Sequence, residues 1–372
     1  MTARRESLRR IALTMGAAGI ALVVSLLVST VVLLLSDADP VEVFTEVVEY
    51  GQKPAQLVNM LNKGTGYYLS AIAVAIGFRM ALFNIGVDGQ YRLAAMLAAA
   101  LGAAVSLPAP LHVLMIVVVA MAVGALWAGI AALLKVTRGV SEVISTIMLN
   151  AIAGSIVAYL LHPDRLAVSV AGSNNIGTEP LPASARVPGL RLAGTESRVF
   201  GMVIVAMLVG VGYWVLLNRT RFGFDLRATG QSPTAAIASG VDVRRMVVTT
   251  MLLSGAVAGL VGLPQLLGAS YTYGLDFPAG IGFTGIAIAL LGRNHPVGIA
   301  LGALLWAFLE EASQILDLLE VSPEIVRIIQ GTVVLSVVVV YELVRRYTIS
   351  QQQRSVGEQL AAEEPAVEGA RA

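Results

Sequence analysis

Long apolar runs alternate with short polar breaks from residue 11 to residue 344. At about 1.5 Å per residue, roughly 20 apolar residues in a helix cross a bilayer core of about 30 Å. On that measure the runs 11–35, 67–82, 93–107, 113–134, 143–161, 200–217, 247–267, 281–291, 297–309 and 325–344 predict ten helical segments. The expected fold is all-α: a polytopic membrane protein of about ten transmembrane helices, occupying 1–350. The polar, Glu- and Ala-rich stretch 351–372 is expected to be a disordered cytoplasmic tail. The basic start resembles that of a signal peptide, but its apolar run is too long and lacks a cleavage site, so it predicts a retained first helix.

Basic residues orient the spans. The groups Arg4–Arg10, Lys135 with Arg138, Arg219–Arg245, and Arg345 with Arg346 all fall on one side of a ten-span map. The positive-inside bias makes that side the cytoplasm and places both termini there. The segment 36–63 would then lie outside, with Val43, Val47, Tyr50 and Leu57 on an interfacial helix, and 162–198 would be an external loop. Tyr271, Tyr273 and Phe277 would form an aromatic belt at the outer interface.

Spans two to five are echoed by seven to ten: an inward run, a polar Gly- or Pro-bearing turn, then an outward run rich in small residues. This suggests an internal duplication. Interrupted spans at matching places in two halves point to a transport site near the midplane. In the first half the break is Phe83-Asn-Ile-Gly-Val-Asp-Gly-Gln90, where Asn84, Asp88 and Gln90 are candidates for the solute pathway. The alternative is a capped turn at the inner surface. A second set, Glu142, Thr146 and Asn150, recurs every four residues and shares one helical face with Gly154. A polar stripe in a span must face protein or water, so Thr146 and Asn150 either line a pathway or bond between helices. Glu310, Glu311 and Gln314 form a third set, placed to meet solute outside or to mark where a helix leaves the bilayer.

Composition narrows the chemistry. The chain is 56% hydrophobic and 13% charged with a net charge of +1, well below the roughly 25% charged residues of soluble domains, and nothing points to a nucleic-acid polymer as partner. Without cysteine there is no disulfide, thiolate nucleophile or Cys-ligated metal, and His112, His162 and His295 have no ligand spacing. No phosphate-loop motif or HExxH is present, so the expectation is a non-enzymatic subunit with no cofactor or metal of its own.

The break 218–246 is long and carries Arg219, Arg221, Arg227, Arg244 and Arg245 against Asp225 and Asp242. Pro233 suits a helix's first turn and Gly240 its stop, which predicts a short helix between two spans.

Three stretches carry a family resemblance: Phe83–Gln90, Glu142-Val-Ile-Ser-Thr-Ile-Met-Leu-Asn150, and Leu226-Arg-Ala-Thr-Gly230 followed by Ala235-Ala236 and Gly240. Over roughly 66–346 the chain resembles the permease subunits of bacterial ABC importers, of the branched-chain amino acid/ribose type, in the nucleoside and simple-sugar branch. The resemblance implies a coupling helix, Pro233–Gly240, docking in a cleft of a separate ATPase through Pro233, Ala235, Ala236 and Gly240. It departs from the family form in having Thr234 where a glutamate opens the Glu-Ala-Ala sequence. It further implies a second permease subunit, an extracytoplasmic binding protein, ATP used only by the partner, and a plasma-membrane location. Nucleosides are the substrate expected from this branch. A ribose-like sugar and, in another class, a secondary transporter using Asp88 or Glu310 are the alternatives.

Overall fold

The computed structural model of the chain describes residues 19–20, 23–169, 175–191, 195–316, 322 and 324–369. The basic start at Arg4–Arg10 therefore lies outside the described residues. Two compact units divide the chain, Val47–Gln314 and Met1–Glu46 with Ile315–Ala372. The second contains α1 (Val23–Leu35) and the long α14 (Glu324–Gly369); α1 bends by 116° into α2 (Pro40–Gly51), whose last residues from Val47 belong to the larger unit.

The larger unit holds the helices that position the candidate site. In order they are α3 (Pro54–Phe78), α4 (Val87–Ala104), α5 (Ala109–Arg138), α6 (Glu142–Leu160), α7 (Met202–Arg219), α8 (Arg221–Gln231), α9 (Pro233–Ala238), α10 (Val243–Gly259), α11 (Leu263–Gln265), α12 (Ile281–Leu291) and α13 (Pro296–Leu316). Two small antiparallel pairs lie between α6 and α7: β1 (Val168–Ser169) with β2 (Ile176–Gly177), and β3 (Leu190–Arg191) with β4 (Arg198–Val199).

Among the described residues, six helical segments are long and apolar enough to cross a membrane, or seven if the bent pair counts as one span. The other expected segments match α3, α4 and α12, and each fails the test for a physical reason. In α3 every residue from Gly64 to Gly77 except Tyr68 is buried. A helix enclosed by protein needs small residues for close approach rather than greasy ones for lipid, so α3 and α4 are rich in Ala and Gly. The helix α12 is only 11 residues, about 16 Å, or half a bilayer core.

The centre is held by backbone contact. A Cβ added to Gly255 of α10 would lie 2.5 Å from the Ala128 methyl of α5, and one on Gly124 of α5 would lie 2.9 Å from the amide nitrogen of Gly259. Only glycine lets two helix backbones approach this closely.

The two halves are inverted. Helix α3 ends where Gly230 packs on Arg79 and Met80, at the arginine-rich end, whereas α10 begins there. Matching short sequences occupy matching places: Leu69-Ser70 in α3 and Leu253-Ser254 in α10, then Phe83-Asn-Ile-Gly86 before α4 and Phe277-Pro-Ala-Gly280 before α12. After α3 the chain reverses at Ala81 (φ 55°), and the Leu82 amide donates back to the Gly77 carbonyl at 3.0 Å before α4 starts. The expected aromatic belt is not formed at this second break. Tyr273 and Phe277 are buried and stacked, ring centroids 4.4 Å apart, and Tyr271 lies under the Arg186 guanidinium. The segment folds inward because it leads to a helix that starts inside the unit.

Candidate functional site

Two breaks in the helices bring two helix N-termini together. At α4 the Asn84 carboxamide accepts from the Gly86 amide at 3.1 Å, and its nitrogen donates to Ser254 Oγ at 2.9 Å. Ser254 in turn donates to the Ala73 carbonyl of α3 at 2.6 Å. Asn84 and Gln90 form a reciprocal amide pair, 3.0 and 2.9 Å. The second half mirrors this arrangement, with Ser70 of α3 donating to the Ile281 carbonyl at 2.9 Å. Thus each break is held by a serine of the other half's leading helix.

Asp88 faces the other N-terminus. Its Oδ1 accepts from the amides of Gly280 at 2.8 Å and Gly282 at 3.3 Å, at the start of α12. A carboxylate there opposes the partial positive charge of unpaired amides. The Arg92 guanidinium lies 4.0 Å from the other carboxylate oxygen. Tyr91 donates to the Pro278 carbonyl at 2.7 Å.

The stripe on α6 turns to the same place. Asn150 donates to the Ile85 carbonyl and accepts from the Gly89 amide, both at 2.9 Å. The Thr146 hydroxyl bonds within its own helix, to the Glu142 carbonyl at 2.7 Å, while its Cβ borders Gly86. Glu142 pairs with Lys135 and accepts from the Phe83 amide at 3.4 Å. The structure therefore brings Asn84, Asp88, Gln90, Thr146 and Asn150 together around α4's first turn. Asn84, Asp88, Gln90 and Thr146 are buried and Asn150 half-buried. The hydrogen bonds of Asn84, Gln90 and Asn150 go to protein, which is the interhelical reading of the stripe.

The expected short helix on the arginine-rich loop is present as α9. The Ser232 hydroxyl caps it by accepting from the Ala235 amide, Pro233 opens it, and Gly240 follows with φ 84°. Pro233, Ala235 and Gly240 are exposed, but Ala236 is 2% exposed and faces its own chain. Ile237 stands out instead, 61% exposed, with Phe224 of α8 at 64%. Sequence reading passed over Ile237 because a six-residue helix has too few turns for periodicity to separate its faces.

Two further features bear on function. Near the far end of α3, Lys63 lies 2.6 Å from Glu311 and 3.5 Å from Glu310 of α13, and the Tyr67 hydroxyl also bonds Glu310. The third polar set is thus a clamp between α3 and α13. A cavity of about 520 Å³ between α3, α7 and α13 is lined by Leu61, Tyr68, Met207, Trp214, Val297 and other apolar residues. It lacks the converging polar groups a hydroxyl-rich solute needs.

Comparison with known proteins follows the same lines. The chain is 38% identical over 264 residues to the guanosine ABC transporter permease protein NupP of Bacillus subtilis (strain 168), covering 71% of this chain and 73% of that one. It is 31% identical to the glucose ABC transporter permease protein TsgB13 of Haloferax volcanii, covering 87% of each. To the nucleoside ABC transporter permease protein NupB of Lactococcus lactis subsp. cremoris it is 31% identical, covering 73% and 76%. Residues 56–338 match the family described as branched-chain amino acid transport system / permease component. With inverted, interrupted helices and most of its length inside that match, this chain belongs to the branched-chain amino acid transport system permease family.

Proposed function

We propose that this chain is the membrane-spanning subunit of an ABC importer that carries nucleosides into the cytoplasm. The observation that carries the reading is its likeness to permeases named for guanosine and nucleosides over about seven-tenths of its length. The inverted pair of broken helices supports a translocating role, because such junctions are where transporters concentrate moving parts. The arginine-rich end, with α8 and α9, faces the cytoplasm by its charge. There Pro233, Ala235, Ile237 and Gly240 present a ridge to a separate ATPase, which hydrolyses ATP on the chain's behalf. Ala236 supports that ridge from beneath. A second permease subunit completes the pathway, and an extracytoplasmic binding protein delivers solute at the opposite end. Asn84, Asp88, Gln90, Thr146 and Asn150 belong to the moving junction, which sets the pathway's shape through the contacts already given.

A second reading, import of a simple sugar, is favoured by the likeness to a glucose permease over 87% of the chain. Uptake of labelled guanosine and of labelled glucose by intact cells with and without this gene distinguishes the two. Loss of guanosine uptake, competed by other nucleosides but poorly by free ribose, is expected. Loss of sugar uptake with nucleoside uptake unchanged overturns the nucleoside assignment.

A further inference from the structure

The half-length helix α12 is joined to the outer surface by a continuous set of contacts. Asp88 holds its first amides, and a Cβ on Gly282 would lie 2.6 Å from Asp88 Cα, so α4 and α12 meet without intervening side chain. Arg92, one turn along α4 from Asp88, lies 4.0 Å from that carboxylate and neighbours Tyr273, whose ring stacks on Phe277, three residues before the Gly280 amide that Asp88 holds. Tyr273 is in turn paired through its backbone with Thr178 of the long loop between α6 and α7. The Thr178 amide donates to the Tyr273 carbonyl, and the Tyr273 amide donates to Thr178 Oγ1, both at 3.0 Å. Around this pair, Leu181 donates to the Tyr271 carbonyl at 2.8 Å, Gly177 bridges Gly274, and Asn175 donates to Asp276 at 2.7 Å.

We propose that Asp88 is a positioning residue that pins α12 against α4, and that Arg92 and Tyr273 tie this pin to the 175–181 loop. Loosening the outer loop and releasing α12 are then one event. Two features make the tie mechanical rather than incidental. The pinned helix is short, so its fixed end lies within the protein; Ser70, which bonds its first carbonyl, is about 12 Å from the Phe78 end of α3. The tie consists of backbone pairing and a buried charge, both costly to break singly, so the junction has discrete arrangements rather than a continuum. A carboxylate suits the pin because two helix N-termini converge on it. This inference rests on the reading that the chain translocates a solute, but its first arm does not depend on which solute.

The test uses the full-length permease assembled with its ATPase in intact cells, and exploits the absence of cysteine. Ser70→Cys is the reporter, because Ser70 is fully buried beneath the start of α12; the thiol keeps a weak donor to the Ile281 carbonyl, and every rate is compared within this background. With Asp88 present, a small membrane-impermeant maleimide is expected to label it slowly and only during turnover. Asp88→Ala is expected to raise that rate at least tenfold without turnover, with Asp88→Asn between, since the amide keeps an acceptor oxygen but loses the charge. Unchanged labelling in Asp88→Ala inserted at normal level overturns the pin. A second arm keeps Asp88: Asn175→Cys with Asp276→Cys closes a disulfide across the loop. The bridged protein is expected to lose both turnover labelling of the Ser70→Cys reporter and uptake, and to regain uptake on reduction. Persistent turnover labelling or normal uptake in the bridged protein refutes the tie between the loop and α12, even where Asp88→Ala fails to accumulate. The Asp88→Ala arm is read without turnover and needs no identified solute, so a wrong substrate assignment would leave that outcome intact.

Discussion

The side chain exposed on α9 gives a graded test of ATPase docking. Ile237→Ala removes three carbon groups, worth about 0.8 kcal/mol each when fully buried, or roughly 2.4 kcal/mol. The side chain is 61% exposed in the free chain, so a partner can remove at most about that share from water. The expected loss is about 1.5 kcal/mol, which is about a tenfold weaker Kd. Ile237→Asp should weaken docking further by leaving an unpaired charge at the contact. Because Ile237 makes little contact within its own chain, neither change should alter insertion or thermal stability. The assay is direct binding of purified ATPase to permease in lipid nanodiscs, with stimulated ATP hydrolysis read on the same samples. Ala236→Trp serves as the contrast: its methyl is buried against its own chain, so the large ring should destabilise the loop rather than block a groove. Affinity and stimulation unchanged in both Ile237 variants would refute the role given to this ridge.

Two predictions concern the junction. Gly89→Ala places a methyl 2.8 Å from Asn150 Oδ1 and 2.9 Å from its Cα, so overpacking should cost about 1–3 kcal/mol and lower the Tm in detergent. Gly154→Ala on the same helix as Asn150 meets nothing within 4 Å and should leave the Tm unchanged. Asn150→Leu strands the Gly89 amide and the Ile85 carbonyl, each costing about 1–3 kcal/mol if left unpaired. Stability and uptake should fall together; a fall in uptake with an unchanged Tm would instead make Asn150 a solute contact.

Much of this protein was legible along the chain because a bilayer imposes strict rules on each segment separately. Apolar length, the arginine-rich break and the interruption at 83–90 are local properties, and the stretches 83–90, 142–150 and 226–240 carried the ABC permease resemblance, whereas the break at 270–280 read along the chain as an outer aromatic belt. The break at Asn84–Gln90 and the stripe Thr146–Asn150 stood out along the chain because polar groups in spans must find partners. What those partners are depends on residues far apart in sequence. Ser254 reaches Asn84, Ser70 reaches Ile281, and Asp88 caps Gly280 and Gly282, contacts that exist only once two inverted halves have packed. The same holds for the helices that hydropathy underrates: α3 is enclosed by its neighbours, so its small residues answer to them and not to lipid. On α9, exposure of Ile237 and burial of Ala236 were decided by how one six-residue helix lies on the chain beneath it, a matter of tertiary contact that no repeat of 3.6 can reveal over so short a run.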